Sequence, residues 1–288
     1  MIPIPRAFES DTRATEFDLI LEAGRAGKNY WRDLWRYQEL FYVLAWRDIS
    51  VRYKQTVIGI VWALLQPFLT MLIMTIVFSR IANMPSPGVP YPLLVIVGTL
   101  PWLFFSSSLA NASQSLVNNS NLISKIYFPR LIIPISTIVT AFIDFLISFA
   151  LMIAVLAWYR FLPPWQIVFL PLFVGLAFLT AVGPGLLMTA LNVKYRDFRY
   201  IIPFVVQFGA FVSPVGYMSG AKLFGLWRVL YSLNPVVGVI DGFRWCLLGG
   251  VNTIDGPSFA VSLAVTGLFL VLGIRYFRKT EKSFADII

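Results

Sequence analysis

Residues 131–158 read LIIPISTIVTAFIDFLISFALMIAVLAW, with Asp144 the one charged side chain in the run. As a helix rising about 1.5 Å per residue, this segment is roughly 40 Å long. The hydrocarbon core of a bilayer is about 30 Å thick. A helix packed on one face of a soluble core keeps a polar stripe on the other, and this one is apolar all round, so lipid is its solvent. The rest of the chain agrees. Its 288 residues are 58% hydrophobic, 16% aromatic and 13% charged, about half the charge of an ordinary soluble domain at roughly 25%. Mean hydropathy is +0.76. The sequence describes an all-α polytopic membrane protein.

Working outward from that run, charge-poor stretches predict six transmembrane helices at about 57–79, 92–112, 131–158, 166–191, 201–217 and 258–276. Residues 111–121, rich in Ser and Asn, read as a loop or amphipathic turn. Gly183-Pro184-Gly185 reads as a kink in the fourth span. Pro203 and Pro214 bracket the fifth. Residues 215–251 are aromatic and apolar but are cut by Lys222, Arg228, Asp241 and Arg244. The run from Val229 to Ile240 would make a helix of only about 18 Å, so 218–250 is predicted to be re-entrant rather than spanning.

Charge sorting tests this topology. The first 56 residues are polar, without the short apolar core of a signal peptide, so the N-terminus is expected in the cytoplasm. Six crossings then put both termini there, with eighteen of the 23 basic residues on that side and Arg80, Arg160, Lys222, Arg228 and Arg244 on the other. A seventh crossing through 215–251 would carry Arg275, Arg278, Lys279 and Lys282 outside, against the positive-inside bias.

Missing residues exclude several functions. There is no histidine, which removes Ser–His and Cys–His nucleophilic sites and His-ligated zinc. Cys246 is the only cysteine, which removes internal disulfides, CxxC pairs and Cys-rich metal sites. No metal site is expected. The net charge of +9 is assigned to membrane topology and lipid contact rather than to nucleic acid. The one Gly-Lys pair near a phosphate-loop pattern, Gly27-Lys28, has Glu22 at the first glycine position and Asn29 at the Ser/Thr position, so no nucleotide site is read in this chain. Gly216/Gly220 and Gly238/Gly242 have GxxxG spacing, a pattern too common in glycine-rich membrane segments to argue a dimer.

Several features call for roles. Residues 30–46 place Trp31, Leu34, Trp35, Gln38, Phe41, Tyr42 and Ala45 at helical spacing opposite Arg32, Asp33, Arg36 and Glu39. That predicts an amphipathic interface helix, with Asn29 as its N-cap. Asp144 is an intramembrane acid and so a candidate functional residue, with a hydrogen bond to Ser or Thr on a neighbouring helix as its structural alternative. Phe208, Phe211, Tyr217, Phe224, Trp227, Tyr231, Phe243 and Trp245 cluster around the re-entrant stretch. Besides serving as interfacial belts, such rings suit a substrate that alternates apolar and hydroxyl surfaces, such as a sugar chain.

The segment from Trp46 through Arg-Asp-Ile-Ser-Val-Arg-Tyr-Lys to Gln66-Pro67 resembles the approach to the first span in ABC-2-type permeases that export polysaccharides. The likeness continues at Asn121-Leu-Ile-Ser-Lys-Ile-Tyr-Phe-Pro-Arg130, Asn192-Val-Lys-Tyr-Arg-Asp-Phe-Arg199, Ser213-Pro-Val and Asn234-Pro-Val through Arg244. It covers about residues 30–280 and is strongest toward O-antigen (lipopolysaccharide) exporters, with teichoic-acid and capsule exporters close behind. Residues 1–29 match no motif and form a cytoplasmic N-terminal segment.

The resemblance implies the following roles. Residues 30–46 are a gate helix at the cytoplasmic surface, with Trp31, Arg32, Trp35 and Arg36 its exposed determinants, and the ABC-2-type transmembrane domain covers about 51–280. Residues 114–130 are a coupling segment seated on a separate ABC ATPase through Lys125, Ile126, Tyr127, Phe128 and Arg130. The re-entrant pair lines the far exit, with Phe208, Phe211, Tyr217, Trp227, Tyr231, Phe243 and Trp245 as pathway candidates. The chain works as a homodimer with two ATPase copies in the bacterial inner membrane, exporting a lipid-linked polysaccharide. ATP and Mg²⁺ belong to the partner, and this chain holds no cofactor. Arg32, Arg36, Arg47, Arg52 and Lys54 form a basic rim for a lipid diphosphate or for anionic lipid. Two other classes compete: an enzyme acting on lipid-linked sugars through Asp144 or Asp241, and a proton-coupled carrier using Asp144.

Overall fold

The structure is a computed structural model that describes residues 30–54, 57–86, 88–218, 226–249 and 254–284. Every regular element among them is helical. In chain order these are α1 (Tyr30–Arg36), α2 (Gln38–Lys54), α3 (Val57–Thr75), α4 (Tyr91–Asn118), α5 (Ser120–Lys125), α6 (Ile132–Trp158), α7 (Leu170–Lys194), α8 (Phe198–Val212), α9 (Leu226–Tyr231), α10 (Pro235–Leu248) and α11 (Gly256–Thr280). A π-helical turn, Ile76–Ile81, extends α3, and a 3₁₀ turn, Trp165–Phe169, leads into α7.

Five helical stretches are long and apolar enough to cross a membrane: Val61–Ile81, Tyr91–Asn118, Ile132–Trp158, Trp165–Lys194 and Gly256–Ser283. The expected fifth span differs. Helix α8 stops at Val212, because Pro214 disfavours the helical region at the residue before it, and Ser213 is extended at φ −88° and ψ 147°. Its 15 residues reach about 22 Å, short of a full hydrocarbon core.

The second span also differs from expectation. The expected span ends near 112 and gives way to a Ser/Asn loop, yet α4 runs unbroken to Asn118. The polar side chains there are absorbed by the bundle. Ser113 and Ser115 donate to the carbonyls of Ala110 and Ala112, both at 2.7 Å. From α7, Thr189 and Asn192 donate to the carbonyls of Ala112 and Ser113, both at 2.8 Å. Short hydroxyls and amides that favour turns in water thus become interhelical ties where water is scarce.

Helix α4 is the central element, with Leu93, Leu94, Val95, Ile96 and Val97 fully buried. Around it, Phe104 meets Phe142 and Phe145 of α6 at centroid distances of 5.6 and 5.5 Å, and Phe142 meets Phe178 of α7 at 5.6 Å. Edge-on and tilted arrangements of this kind add favourable ring–ring electrostatics to apolar contact. Peripheral α3 and α8 keep large exposed faces, including Trp62, Leu72, Ile73, Phe204, Phe208 and Phe211.

Gly183-Pro184-Gly185 lies inside a continuous α7. Its glycine provides a close crossing with α11. A Cβ on Gly273 would sit 2.3 Å from the Gly183 carbonyl oxygen, and one on Gly183 would sit 2.6 Å from the Leu270 nitrogen. Backbone-to-backbone approach of this kind needs residues without side chains. Gly183→Ala or Gly273→Ala should therefore lower the apparent melting temperature in detergent, with overpacking costing about 1–3 kcal/mol. Gly175→Ala and Gly267→Ala lie on the same two helices with nothing within 4 Å of the added methyl and should leave melting unchanged.

Candidate functional site

The expected amphipathic helix is longer than 30–46. It is broken at Tyr37 and continues as α2 to Lys54. Of the expected apolar face, Leu34 and Phe41 pack on the core and Ala45 is buried. Tyr30 and Leu44 are also buried and Tyr37 packs on the core, whereas Trp31, Trp35, Tyr42 and Trp46 point outward, Trp35 being 76% exposed. Both faces are aromatic, so spacing alone could not tell which one the bundle would take. Asn29 lies outside the described residues. Arg32 and Arg36 are exposed.

Asp144 has partners, though not the expected Ser or Thr. Its carboxylate accepts from the Arg52 guanidinium and the Tyr53 hydroxyl, both at the end of α2. The Ser148 hydroxyl bonds the Asp144 and Ala63 carbonyls at 2.8 and 3.0 Å. Burial, then the Asp144 carboxylate, pushes the Tyr53 hydroxyl well above its ordinary pKa, so it stays a neutral donor. Arg47 is engaged too, with Nη2 2.7 Å from Asp48 and 3.1 Å from Asn119 Oδ1 at the end of α4. Two arginines of the expected basic rim are thus tied to the bundle, while Arg32 and Arg36 remain open.

The expected coupling segment divides. Residues 114–118 belong to α4, α5 ends at Lys125, and Ile126 begins an extended link. Within that link Ile126 and Tyr127 are 55% and 63% exposed, while Phe128 is 3% exposed and belongs to the core cluster. Phe128 is therefore a root and not a contact. Behind it the Arg130 backbone N–H donates to Glu281 Oε1 at 2.7 Å, and the Arg130 guanidinium donates to the Glu281 carbonyl. Beside α5 lies a notch of about 370 Å³ lined by Ser120, Asn192, Arg196, Asp197, Arg199 and others.

In the re-entrant stretch, α9 and α10 are described and 219–225 and 250–253 are not, so Lys222 and Phe224 lie outside the description. Arg244, expected in an outer loop, is fully buried. It donates to the Tyr217 and Val215 carbonyls at 2.8 and 3.1 Å and approaches the Leu94 carbonyl at 3.4 Å. Gly98 makes room for this contact, since a Cβ there would meet Val215 O at 2.8 Å and Arg244 Nη2 at 2.9 Å. The two Pro-Val motifs meet as well: Asn234 caps α10 by accepting from the Val236 N–H at 3.1 Å and donates to Ser213 Oγ at 2.8 Å. The GxxxG glycines of α10 serve internal packing, Gly238 against Ser262 and Gly242 against Phe173.

The aromatic set separates into two groups. Phe243 is fully buried against Phe145, and Trp245 packs on Phe169 with ring centroids 5.6 Å apart, so both are core residues. Phe208, Phe211 and Trp227 are exposed. The Tyr217 and Tyr231 hydroxyls lie 2.9 Å apart.

Comparison with known proteins follows the same lines. Residues 39–248 match the profile of the ABC-2 type transporter family. The chain is 26% identical over 258 residues to the O-antigen export system permease protein RfbA of Myxococcus xanthus, covering 89% of this chain and 98% of that one. It is 29% identical to the protein of the same name from Klebsiella pneumoniae, covering 87% and 95%. To the polysialic acid transport protein KpsM of Escherichia coli it is 23% identical, covering 82% and 92%.

The geometry around Asp144 gives a test. Asp144→Asn keeps acceptor and size and should retain near-normal melting and activity. Asp144→Ala removes the acceptor shared by Arg52 and Tyr53 and should lower stability by about 1.5–3 kcal/mol, the worth of hydrogen bonds to a charged group, read by thermal unfolding in detergent. A proton-carrying role would instead abolish activity in Asp144→Asn.

Proposed function

The chain belongs to the ABC-2 type transporter family, and from that premise we propose that it is the membrane subunit of an exporter for a lipid-linked, O-antigen-like polysaccharide, driven by a separate ATPase. The names of its relatives, O-antigen export and polysialic acid transport, support a polysaccharide cargo. Teichoic acid or capsular polysaccharide, carried by the same mechanism, is the second reading of that cargo. A bacterial inner-membrane location and a passive, non-enzymatic role go with this assignment. ATP and Mg²⁺ are assigned to the partner, since the sequence offers no glycine-rich phosphate loop.

The observation that carries the reading is the link at 126–130. It presents two exposed apolar side chains, Ile126 and Tyr127, on a base fixed by buried Phe128 and by the Arg130–Glu281 pairing. An apolar tip on a rigid root is what a docking contact requires. The notch beside α5 with Arg196 and Arg199 adds a charged flank for the same partner.

A second adjacency supports a six-span topology. Arg278 sits over the Tyr30 ring at 4.7 Å, and Arg130 binds Glu281, so the start of α1, the α5–α6 link and the end of α11 share one end of the molecule. Five long helices alone would put Tyr30 and Glu281 at opposite ends. Counting short α8 as a sixth crossing, completed by the segment that Arg244 holds, brings them together, with both termini in the cytoplasm and α1–α2 as the interface or gate helix.

The route for the glycan runs between two copies. The interior around α4 is filled by side chains, and packed helices leave no channel of their own. The exposed faces of α3 and α8, with Phe204 and Phe208 4.2 Å apart, supply a wall that a second copy completes. Phe208, Phe211, Trp227 and the Tyr217–Tyr231 pair are the pathway residues on that wall.

Tyr127→Ala and Ile126→Asp should each reduce co-purification of the ATPase by about tenfold, as loss of roughly 1.4 kcal/mol does, without changing the melting of the isolated permease. Phe128→Ala should lower that melting. Unchanged co-purification in Ile126→Asp would remove the docking assignment.

A further inference from the structure

Three segments distant in sequence converge on Glu281, and sequence patterning assigned it no role. Its side chain and backbone are both used by one residue: Arg130 donates its N–H to the Glu281 carboxylate at 2.7 Å and its guanidinium to the Glu281 carbonyl. Both bonds run from Arg130 to Glu281, so the α5–α6 link and the turn after α11 cannot slide past each other without losing both. On the other side of Glu281 stands Tyr30, 6% exposed, with the Arg278 guanidinium over its ring at 4.7 Å. The Tyr30 hydroxyl is buried beside the Glu281 carboxylate without closing a hydrogen bond. Beneath lie Phe277 and Phe284, both fully buried and edge-on at 5.4 Å.

We propose that Glu281 is the positioning residue that relays motion of the Ile126–Arg130 link to the α1–α2 helix and to α11. This rests on the reading of that link as the seat of the ATPase. Arg130 holds the link to Glu281 by hydrogen bonds to its carboxylate and carbonyl. Arg278, one turn back on α11, holds the helix start through its place over the Tyr30 ring. Both contacts are more directional than the apolar packing around them. A partner that displaces Ile126 and Tyr127 moves Arg130 four residues on. Arg130 moves the Glu281 turn, and Tyr30 follows through Arg278 and the carboxylate. The energy of the ATPase thereby reaches the helix carrying Trp31 and Trp35 without any contact between that helix and the partner.

The test uses the permease–ATPase complex in lipid nanodiscs and proteoliposomes, comparing wild type with Glu281→Ala, Glu281→Gln and Tyr30→Leu. Spin labels at Trp35→Cys and Lys125→Cys report the helix and the link. In Glu281→Ala the ATPase should remain bound and hydrolyse ATP at close to the wild-type rate. ATP should still move the label at 125 but not the label at 35. Export should fall about tenfold, within the range typical of coupling between linked sites. Glu281→Gln keeps an acceptor for the Arg130 N–H and should restore part of both export and the movement at 35. Tyr30→Leu leaves the Arg130–Glu281 exchange intact and should uncouple in the same way, which keeps the test alive if Glu281→Ala does not fold. Export and movement at 35 that persist in all three variants overturn the relay. A wild-type complex in which no ATPase binds and ATP moves neither label overturns the proposed function instead.

Discussion

A backbone that leaves helical conformation inside a membrane protein must find partners for its carbonyls within the protein, because lipid offers none. The segment from Ser213 to Tyr217 meets that constraint through Arg244, whose guanidinium serves the Val215 and Tyr217 carbonyls while Tyr91 donates to the Gly216 carbonyl at 2.6 Å. Burying a guanidinium costs several kcal/mol unless its donors are used, and the planar fork of arginine reaches several acceptors where lysine would offer a point charge. Gly98 is the accommodation on α4 that lets the guanidinium in. The consequence is architectural: α8 can stop short at Pro214, and α10 can turn back into the bundle against α4, α7 and α11.

With that end fixed, the bundle divides into a filled interior and a loosely attached periphery. The interior is α4, α6, α7, α10 and α11, joined by the Phe104–Phe142–Phe178 group, the Gly183–Gly273 crossing and hydroxyl ties such as Thr189 to Ala112. The periphery is α1–α2, α3 and α8, whose outer faces remain exposed. A filled interior beside a peripheral layer is the arrangement that a rigid-body switch requires. The α2 helix attaches to α6 chiefly through Asp144, Arg52 and Tyr53, a polar contact within a chain of low charge.

Much of this was legible in the sequence where the signal was long and one-dimensional. The apolar runs marked five long helices, and the 12-residue stretch before Asp241 identified a segment too short to span. The failures share a cause: hydropathy does not record which surface a residue faces. Ser113 and Ser115 read as loop because their hydroxyls suit turns in water. The expected apolar face of α1–α2 divides in the structure, with Leu34, Phe41 and Ala45 turned inward and Trp31, Trp35 and Tyr42 outward, because both faces of the helix carry aromatics. Phe243 and Trp245 were grouped with exposed aromatics on proximity in sequence alone. Arg244 was counted only as an outer-side cation of the re-entrant stretch, although an arginine inside an otherwise apolar run is a sign of buried backbone in need of donors. The meeting of Ser213 with Asn234, and of Arg130 with Glu281, depends on tertiary packing over 21 and 151 residues, which no local pattern carries.

Two polar contacts hold the bundle by different chemistry, and they differ in what it costs to separate them. At the Arg244 end both terminal nitrogens donate to backbone carbonyls, Nε has no partner among the described residues, and the guanidinium is sealed from solvent. Opening it would expose a charge to a low dielectric with nothing to replace its partners, so the barrier is high. At the Arg52–Asp144 tie the side chains are 42% and 21% exposed. Each of these side chains keeps some access to its surroundings, so the contact separates at lower cost than the sealed guanidinium. The Arg52–Asp144 tie is therefore the easier of the two contacts to separate. It anchors the α1–α2 helix, so the proposed relay would act on the element whose polar contact separates most readily.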